Sequence, residues 1–283
     1  MKKETLLVSA HGGHSGQFCS HASDTLEEII QLYIDKQFSW VGITEHTPAI
    51  IEESLYYPDE LKSGLTPERA LQRFGNYMQE CRRLQKKYKH DIVIFSAMEI
   101  ETYTGYKQFI PYLIARFKPD YIVGSVHFVN DIGFDYSPSF YNKAVENTGG
   151  KDKLYCHYFD QQYEMIKLLK PSVVGHFDLI RIFDDKYKSR LLKPEILQRI
   201  KRNLRLIKDL DLIMDLNLRP MYKGKEEPYI SRSILRLARE LDITVVPGDD
   251  SHGLDSVGNF LPEGIEILRN LGFNTNWRQP KLL

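Results

Sequence analysis

Cysteine is scarce in this chain. Cys19, Cys81 and Cys156 are odd in number, far apart and form no CxxC pair, which argues against a disulfide framework and for reduced thiols in a cytosolic compartment. Net charge is missing as well. The 38 basic and 38 acidic residues cancel, so no global field recruits nucleic acid or an anionic membrane, and any anionic ligand must be held locally. No apolar run approaches the roughly 18 residues of a spanning helix. The stretch within MKKETLLVSAHGG also falls short of a secretory core of about 7 to 15 residues, so a soluble, cytoplasmic protein is expected. A GxxxxGKS/T phosphate loop and a DxDxT/V pair of aspartates are both lacking, which leaves NTP-driven and aspartyl-phosphate routes without support. No internal repeat, low-complexity block or Gly/Ser linker divides the 283 residues. They read as one domain, 1–283, within the roughly 200 to 300 residues of a strand–helix barrel.

What the chain does have is nine histidines, most of them placed where an apolar run stops. His11, His46, His127, His176 and His252 follow LLVSAH, WVGITEH, YIVGSVH, SVVGH and ITVVPGDDSH; His14 and His21 trail the first, and Glu99 closes IVIFSAME. Branched and aromatic residues predict strands at 6–9, 40–44, 92–98, 121–126, 172–175, 212–216 and 243–247. Helical patterns lie between most of them. Ser23-Asp24 opens one, with Leu26, Ile29, Ile30, Tyr33 and Ile34 forming an apolar stripe. Thr66 caps another and Pro67 starts it, with Ala70, Phe74, Tyr77, Met78, Cys81 and Leu84 facing inward. Further helices read at 155–169, 194–210, 231–241 and 262–270. Alternation of this kind implies parallel strands in a barrel or a doubly wound sheet, and in either the ligand site lies at the strand carboxyl ends. Two segments read as covers over that face: Thr47 to Gly64, and Val129 to Lys153.

His11, His14, His21, His46, Glu99, His127, His176, Asp250 and His252 are the imidazoles and carboxylates a divalent metal takes. Nine donors exceed the needs of one ion. At about three to five ligands per ion they fit two or three divalent ions sharing a carboxylate, and such mixed ligands suit zinc, iron or manganese. Gathered from six strand ends, these groups could not satisfy one another without charge repulsion or costly burial, which a metal relieves. His90 and His157, in a helix tail and a helix, read as structural, and Glu101 beside Glu99 as half of a solvated pair.

The motifs HGGHSGQFCSHA, ITEH, AMEIE, GSVH, GHFDLIR and GDDSH, in this order, resemble the polymerase-and-histidinol-phosphatase (PHP) metallohydrolases, specifically those acting on histidinol phosphate. The resemblance spans Ser9 to about Gly258. It implies an α/β fold, a distorted (β/α)7 TIM-like barrel, with a trinuclear site at the strand carboxyl ends. It implies that His11, His14, Glu99 and Asp250 hold one ion, that Glu99 bridges to a second held by His127 and His176, and that His21, His46 and His252 hold the third. Two departures stand out: the family's Asp before HxH is here Ser9 before HxxH, and its GSDAH is here GDDSH, which leaves Asp249 as an extra acid.

Arg181 and Arg219 resemble the family's phosphate-binding arginines, since a guanidinium can grip two oxygens at once. Glu45 is a candidate partner for a substrate ammonium. The implied activity is metal-dependent hydrolysis of L-histidinol phosphate, a step of histidine biosynthesis, through hydroxide formed at the metals and attacking phosphorus. Glu99 and Asp250 are the candidate catalytic residues. The implied partner is a small phosphate ester, with no nucleic acid and no membrane; a PHP-type esterase for nucleotides or other small esters is the alternative.

Overall fold

The structure, a computed structural model, describes residues 5–55 and 58–283. Tyr56 and Tyr57, part of the first expected cover, lie outside the described residues. The chain is mixed α/β, and each of the seven expected strands is present. β1 (Leu7–Ser9), β2 (Phe38–Ile43) and β3 (Val93–Ser96) form a parallel three-stranded sheet in that order. A second parallel sheet runs β10-β9-β8-β5-β4, from β4 (Met98–Ile100), β5 (Ile122–Gly124), β8 (Val173–Val174), β9 (Ile213–Asn217) and β10 (Thr244–Gly248). β6 (Phe128–Val129) and β7 (Ile132–Gly133) make a short antiparallel hairpin.

The run 92–98, expected as one strand, breaks at Ala97. Its first half pairs with β2 and its continuation with β5. Ala97 itself donates its N–H to Ile43 O at 2.8 Å, while Asp120 N–H reaches Ser96 O at 2.7 Å, so the chain steps from one sheet to the other. At the opposite seam Ala10 N–H donates to Pro247 O at 2.9 Å. Alternate strand residues point into the space between the sheets, where Val8, Ala10, Trp40, Phe95, Tyr121, Val123, Val173, Ile213 and Val246 form an inner apolar cluster. Burying each large side chain there contributes about 1.5–3 kcal/mol. The other strand face and the helices build a larger cluster around it.

Capping decides the helix starts. Thr25, rather than Ser23-Asp24, caps the helix Leu26–Asp35: Glu28 N–H donates to the Thr25 hydroxyl at 3.3 Å and Thr25 N–H to Glu28 Oε2 at 2.9 Å. Asp24 is excluded from the helix by its φ of 64°. Thr66 caps Pro67–Lys87 as expected, and the six predicted inward residues are buried. Among the described residues, two helices of more than ten residues escape the sequence reading, Tyr106–Phe117, which carries Pro111 inside it, and Pro138–Thr148, besides the short ones at Pro58–Lys62, Tyr187–Arg190 and Arg219–Tyr222. Pro138–Thr148 lies within the expected cover 129–153. That segment is the end of the β6–β7 hairpin, a helix capped by the Ser137 hydroxyl, and the start of the next helix, Lys151–Leu169, with Gly149 at φ 77° between the two helices.

Candidate metal centre

All nine expected ligands converge at the carboxyl ends of the parallel strands. His11, His46, His127, His176 and Asp250 lie within three residues of the ends of β1, β2, β5, β8 and β10, and Glu99 lies in β4. Backbone bonds zip the first and last of these loops together: Asp250 N–H donates to His11 O at 2.9 Å, His14 N–H to Ser251 O at 2.7 Å and Ser23 N–H to His252 O at 2.9 Å. Donors from the two ends of the chain therefore share one floor.

The carboxylate of Glu99, 1% exposed, sits at the middle. Its Oε1 is 2.8 Å from His176 Nε2 and 3.4 Å from His127 Nε2. Its Oε2 faces the other way, 3.4 Å from His11 Nε2 and 3.8 Å from His14 Nε2. Asp250 Oδ1 lies 3.4 Å from His14 Nε2 and 4.0 Å from His11 Nε2, while Asn217 donates to Asp250 Oδ2 at 3.0 Å. The rings of His21, His46 and His252 lie together, with His21 4.8 Å from His252 and 5.3 Å from His46 between centroids. The donor atoms of His46 and His252 fall within 4.8 Å of one another together with that of His14, while His21 Nδ1 lies 2.9 Å from Cys19 Sγ. Donor atoms of His11, His14 and Asp250, of His11, Glu99 and His176, and of His46, Glu99 and His127 each fall within 4.8 Å of one another.

Most of these rings are aimed by a second bond. Nδ1 of His11 lies 2.9 Å from Asp215 Oδ2, that of His14 3.3 Å from Glu45 Oε2, those of His46 and His127 2.8 and 2.7 Å from Glu101, and that of His252 2.9 Å from Asp250 O. An Nδ1 that donates to an oxygen leaves Nε2 with its lone pair, the form a metal takes. His11 Nε2 and His14 Nε2 are buried and make no hydrogen bond, a state costing about 1–3 kcal/mol per group that a cation ligand bond relieves. Donor set and orphaned atoms together fit divalent metal.

The electrostatics divide the histidines. Burial opposes the charge on Glu99 and Asp250, yet the surrounding imidazoles, His11 foremost, hold both well below the ordinary carboxylate range. For His11 and His127 burial is likewise outweighed, and Glu99 with Asp250, or Glu101 with Glu99, raises them well above the usual imidazole value. His21 and His252 go the other way. Burial first and neighbouring imidazoles second push them well below that value, which favours the neutral, ligating ring.

The centre opens into a cavity of about 350 Å³ whose walls include Arg219, Lys223, Lys225, Asp135, Tyr136 and Tyr229. Arg219 follows β9, and its Nη1 is buried without a hydrogen-bond partner. His90 and His157 are exposed and belong to none of these ligand sets.

The PHP domain family matches residues 12–219. This chain belongs to the PHP domain family. Among its relatives, a Schizosaccharomyces pombe protein named a probable histidinol-phosphatase is 36% identical over 255 residues, covering 89% of this chain and 82% of the relative. The Saccharomyces cerevisiae histidinol-phosphatase is 29% identical, over 89% of this chain and 85% of its own. A Listeria monocytogenes crystal structure, solved as a candidate histidinol phosphatase, superposes with a TM-score of 0.80 at 26% identity, covering 90% of this chain and 99% of its own. That of the Lactococcus lactis histidinol phosphate phosphatase, complexed with zinc, L-histidinol and phosphate, superposes at 0.71 with 18% identity over 95% of this chain and 94% of its own, a likeness of fold.

The PHP match stops short of His11, Asp250 and His252, which the strand ends supply. Two expectations are corrected. Arg181 is 5% exposed and does not line the cavity; its Nε donates to Asp178 at 3.2 Å, its Nη2 to Glu227 O and Pro228 O at 3.2 and 2.7 Å, and its plane lies between the rings of Tyr187 and Tyr229. It braces the wall that carries Tyr229 rather than presenting itself to a ligand. Glu45, expected at a substrate ammonium, instead receives the Ser15 N–H at 2.8 Å and aims His14.

The two departures from the PHP pattern turn out to be one. Ser9 donates its hydroxyl to Asp249 Oδ1 at 2.5 Å, so the two departing residues are partners in one hydrogen bond. Tyr33 and Gly258 N–H complete the shell of Asp249 at 2.8 and 2.7 Å, anchoring the loop that carries Asp250. Glu101, read from the sequence as half of a solvated pair, is instead 2% exposed and bonded to His46 and His127, and Asp215 and Asn217 were not singled out by the sequence. The available signal was an acid or amide inside an apolar run, AMEIE and IMDLN, since a buried acid needs a partner.

Proposed function

We propose that this PHP domain hydrolyses L-histidinol phosphate to L-histidinol and phosphate, as a phosphoric monoester hydrolase of histidine biosynthesis. One observation carries the reading: a buried carboxylate, Glu99, turns its two oxygens to two different histidine sets on the floor of a cavity that also presents a guanidinium. The similarity to the S. pombe protein named a probable histidinol-phosphatase and to the S. cerevisiae histidinol-phosphatase suggests the ester.

His11, His14 and Asp250 with Glu99 Oε2 would hold one divalent ion, His127 and His176 with Glu99 Oε1 a second, and His21, His46 and His252 a third. Zinc is the favoured metal. Bound there, such ions supply charge neutralisation on phosphoryl oxygens and a water whose pKa falls towards about 7. The remaining work belongs to the chain. Arg219 grips the phosphate, its guanidinium pairing with two oxygens as charge builds on them. Asp250, whose Oδ2 is steadied by Asn217, takes the proton of the attacking water as the ester P–O bond breaks in line, and that proton passes through solvent to the departing histidinol oxygen, giving L-histidinol and phosphate. Tyr136, Leu179, Ile182 and Tyr229 wall the cavity with apolar surface suited to an imidazole, and Asp135 replaces Glu45 as the acid for the substrate ammonium.

The two parallel sheets are read as one distorted seven-unit barrel, with the steps at Ala97 and at Ala10–Pro247 as its seams. Segments 47–64 and 129–153 act as covers: Thr47, Ser54 and Glu60 border a side chamber next to His21 and His46, and Asp135 and Tyr136 border the main cavity. The partner is a small ester in the cytoplasm, with neither nucleic acid nor membrane. No helix among the described residues is long and apolar enough to cross a bilayer.

The test is phosphate release from histidinol phosphate, a set of nucleotides and a chromogenic aryl phosphate, with and without a chelator. The highest kcat/KM is expected on histidinol phosphate, falling to background on metal removal and returning with added zinc. Equal or faster turnover of nucleotides, or indifference to the chelator, contradicts the proposal.

A further inference from the structure

Beneath the ligand cluster lies a second carboxylate. Glu101 directly follows β4, so it shares a strand face with Glu99, and it is 2% exposed. Its backbone is pinned, with Glu101 N–H donating to the Thr47 hydroxyl at 3.2 Å and Thr47 N–H to Glu99 O at 2.9 Å. Oε1 lies 2.8 Å from His46 Nδ1 and Oε2 lies 2.7 Å from His127 Nδ1. On the reading above the two imidazoles go to different ions, although both also approach Glu99: His127 lies beside His176 and Glu99 Oε1, while the His46 ring lies against His21 and His14.

A carboxylate is a rigid plane that only accepts hydrogen bonds. Both rings must therefore donate from Nδ1, which turns both Nε2 lone pairs away from Glu101, and rotating the carboxylate to suit one ring moves the acceptor of the other. We propose that Glu101 is a positioning residue that couples the second and third cation sets, so that an ion held at one orients the imidazole awaiting the other. This rests on the metal-centre reading above and adds a linkage to it. Linkage is reciprocal: whatever loading the His127 set does for the His46 set, loading the His46 set does in return.

Glu101→Gln separates coupling from mere bulk. An amide offers one acceptor and one donor, so its NH2 edge faces one of the two Nδ1 atoms and forces that ring to carry its proton on Nε2, where it cannot ligate. Metal-free parent and variant are titrated with zinc against a chromophoric chelator, and their histidine tautomers are read by 15N NMR of the zinc-loaded forms. The variant is expected to hold one fewer zinc per chain, to bind at the partner set about 10- to 100-fold more weakly, and to show one histidine with its tautomer inverted. Glu101→Asp, with two acceptors, should recover the lost ion at reduced affinity.

Unchanged stoichiometry and affinity in Glu101→Gln overturn the coupling. Circular dichroism of the metal-free forms establishes whether the variant folds. Should it not fold, His46→Ala and His127→Ala take its place: each should weaken zinc at the other's set, and independent sets overturn the inference. A parent that binds no zinc at all strikes instead at the metal centre itself.

Discussion

Glu99→Gln is expected to lower kcat/KM for histidinol phosphate by about 1000-fold, with the loss mainly in kcat. The size follows from position. Glu99 Oε1 faces His127 and His176 while Oε2 faces His11 and His14, so one substitution removes the negative charge shared by the two proposed ligand sets. The amide keeps the volume and one acceptor oxygen, but its NH2 edge meets imidazoles that no longer find a charge to ligate around. Steady-state kinetics with elemental analysis of the same preparation check this. Retained metal with near-parent kcat contradicts the bridging role.

Arg219→Ala is expected to cost about 100- to 1000-fold in kcat/KM, with metal content unchanged. Arg219 lies beside the ligand set on the cavity wall and carries a buried Nη1 with no hydrogen-bond partner, a donor that an incoming phosphate would satisfy. Arg219→Lys should recover part of the loss, because a point charge replaces the fork but not its two parallel bonds. If Arg219→Ala leaves both kcat and KM for histidinol phosphate unaltered, the phosphate lies elsewhere in the cavity. Lys223 and Lys225, which share that wall, are then the cations to examine.

The strand framework was legible because parallel strands covered on both faces read as unbroken apolar runs, and most of the expected ligands follow or end such a run. Helix 138–148 was hidden because its inward stripe is thin, with Tyr141, Ala144 and Thr148 as its buried residues, and because the preceding DIGFDYSP has loop composition. Arg181 was misplaced for a different reason. Its position after GHFDLI puts it near the site in sequence, but only the path of residues 227–231 decides that its guanidinium meets backbone carbonyls and two tyrosine rings.

Pairing over distance is what a single sequence conceals most. Ser9 and Asp249 stand 240 residues apart, and each alone looks like an oddity. Asp215 is similar. Gly248 leaves it room, since a Cβ there would collide with Asp215 Oδ1 and with His11, yet nothing in IMDLN announces that this acid orients a histidine at the other end of the chain. Ligands advertise themselves by residue type and place, whereas the groups that aim them are ordinary acids whose partners only the fold reveals.

The most direct measurement is anomalous diffraction at the zinc edge from crystals of the zinc-loaded protein. Peaks are expected at ligand-bond distance between His11, His14 and Asp250, between His127 and His176, and between His21, His46 and His252, with Glu99 touching the first two. Zinc found away from these residues, or these side chains too far apart to share ions, contradicts the centre on which the proposed chemistry depends.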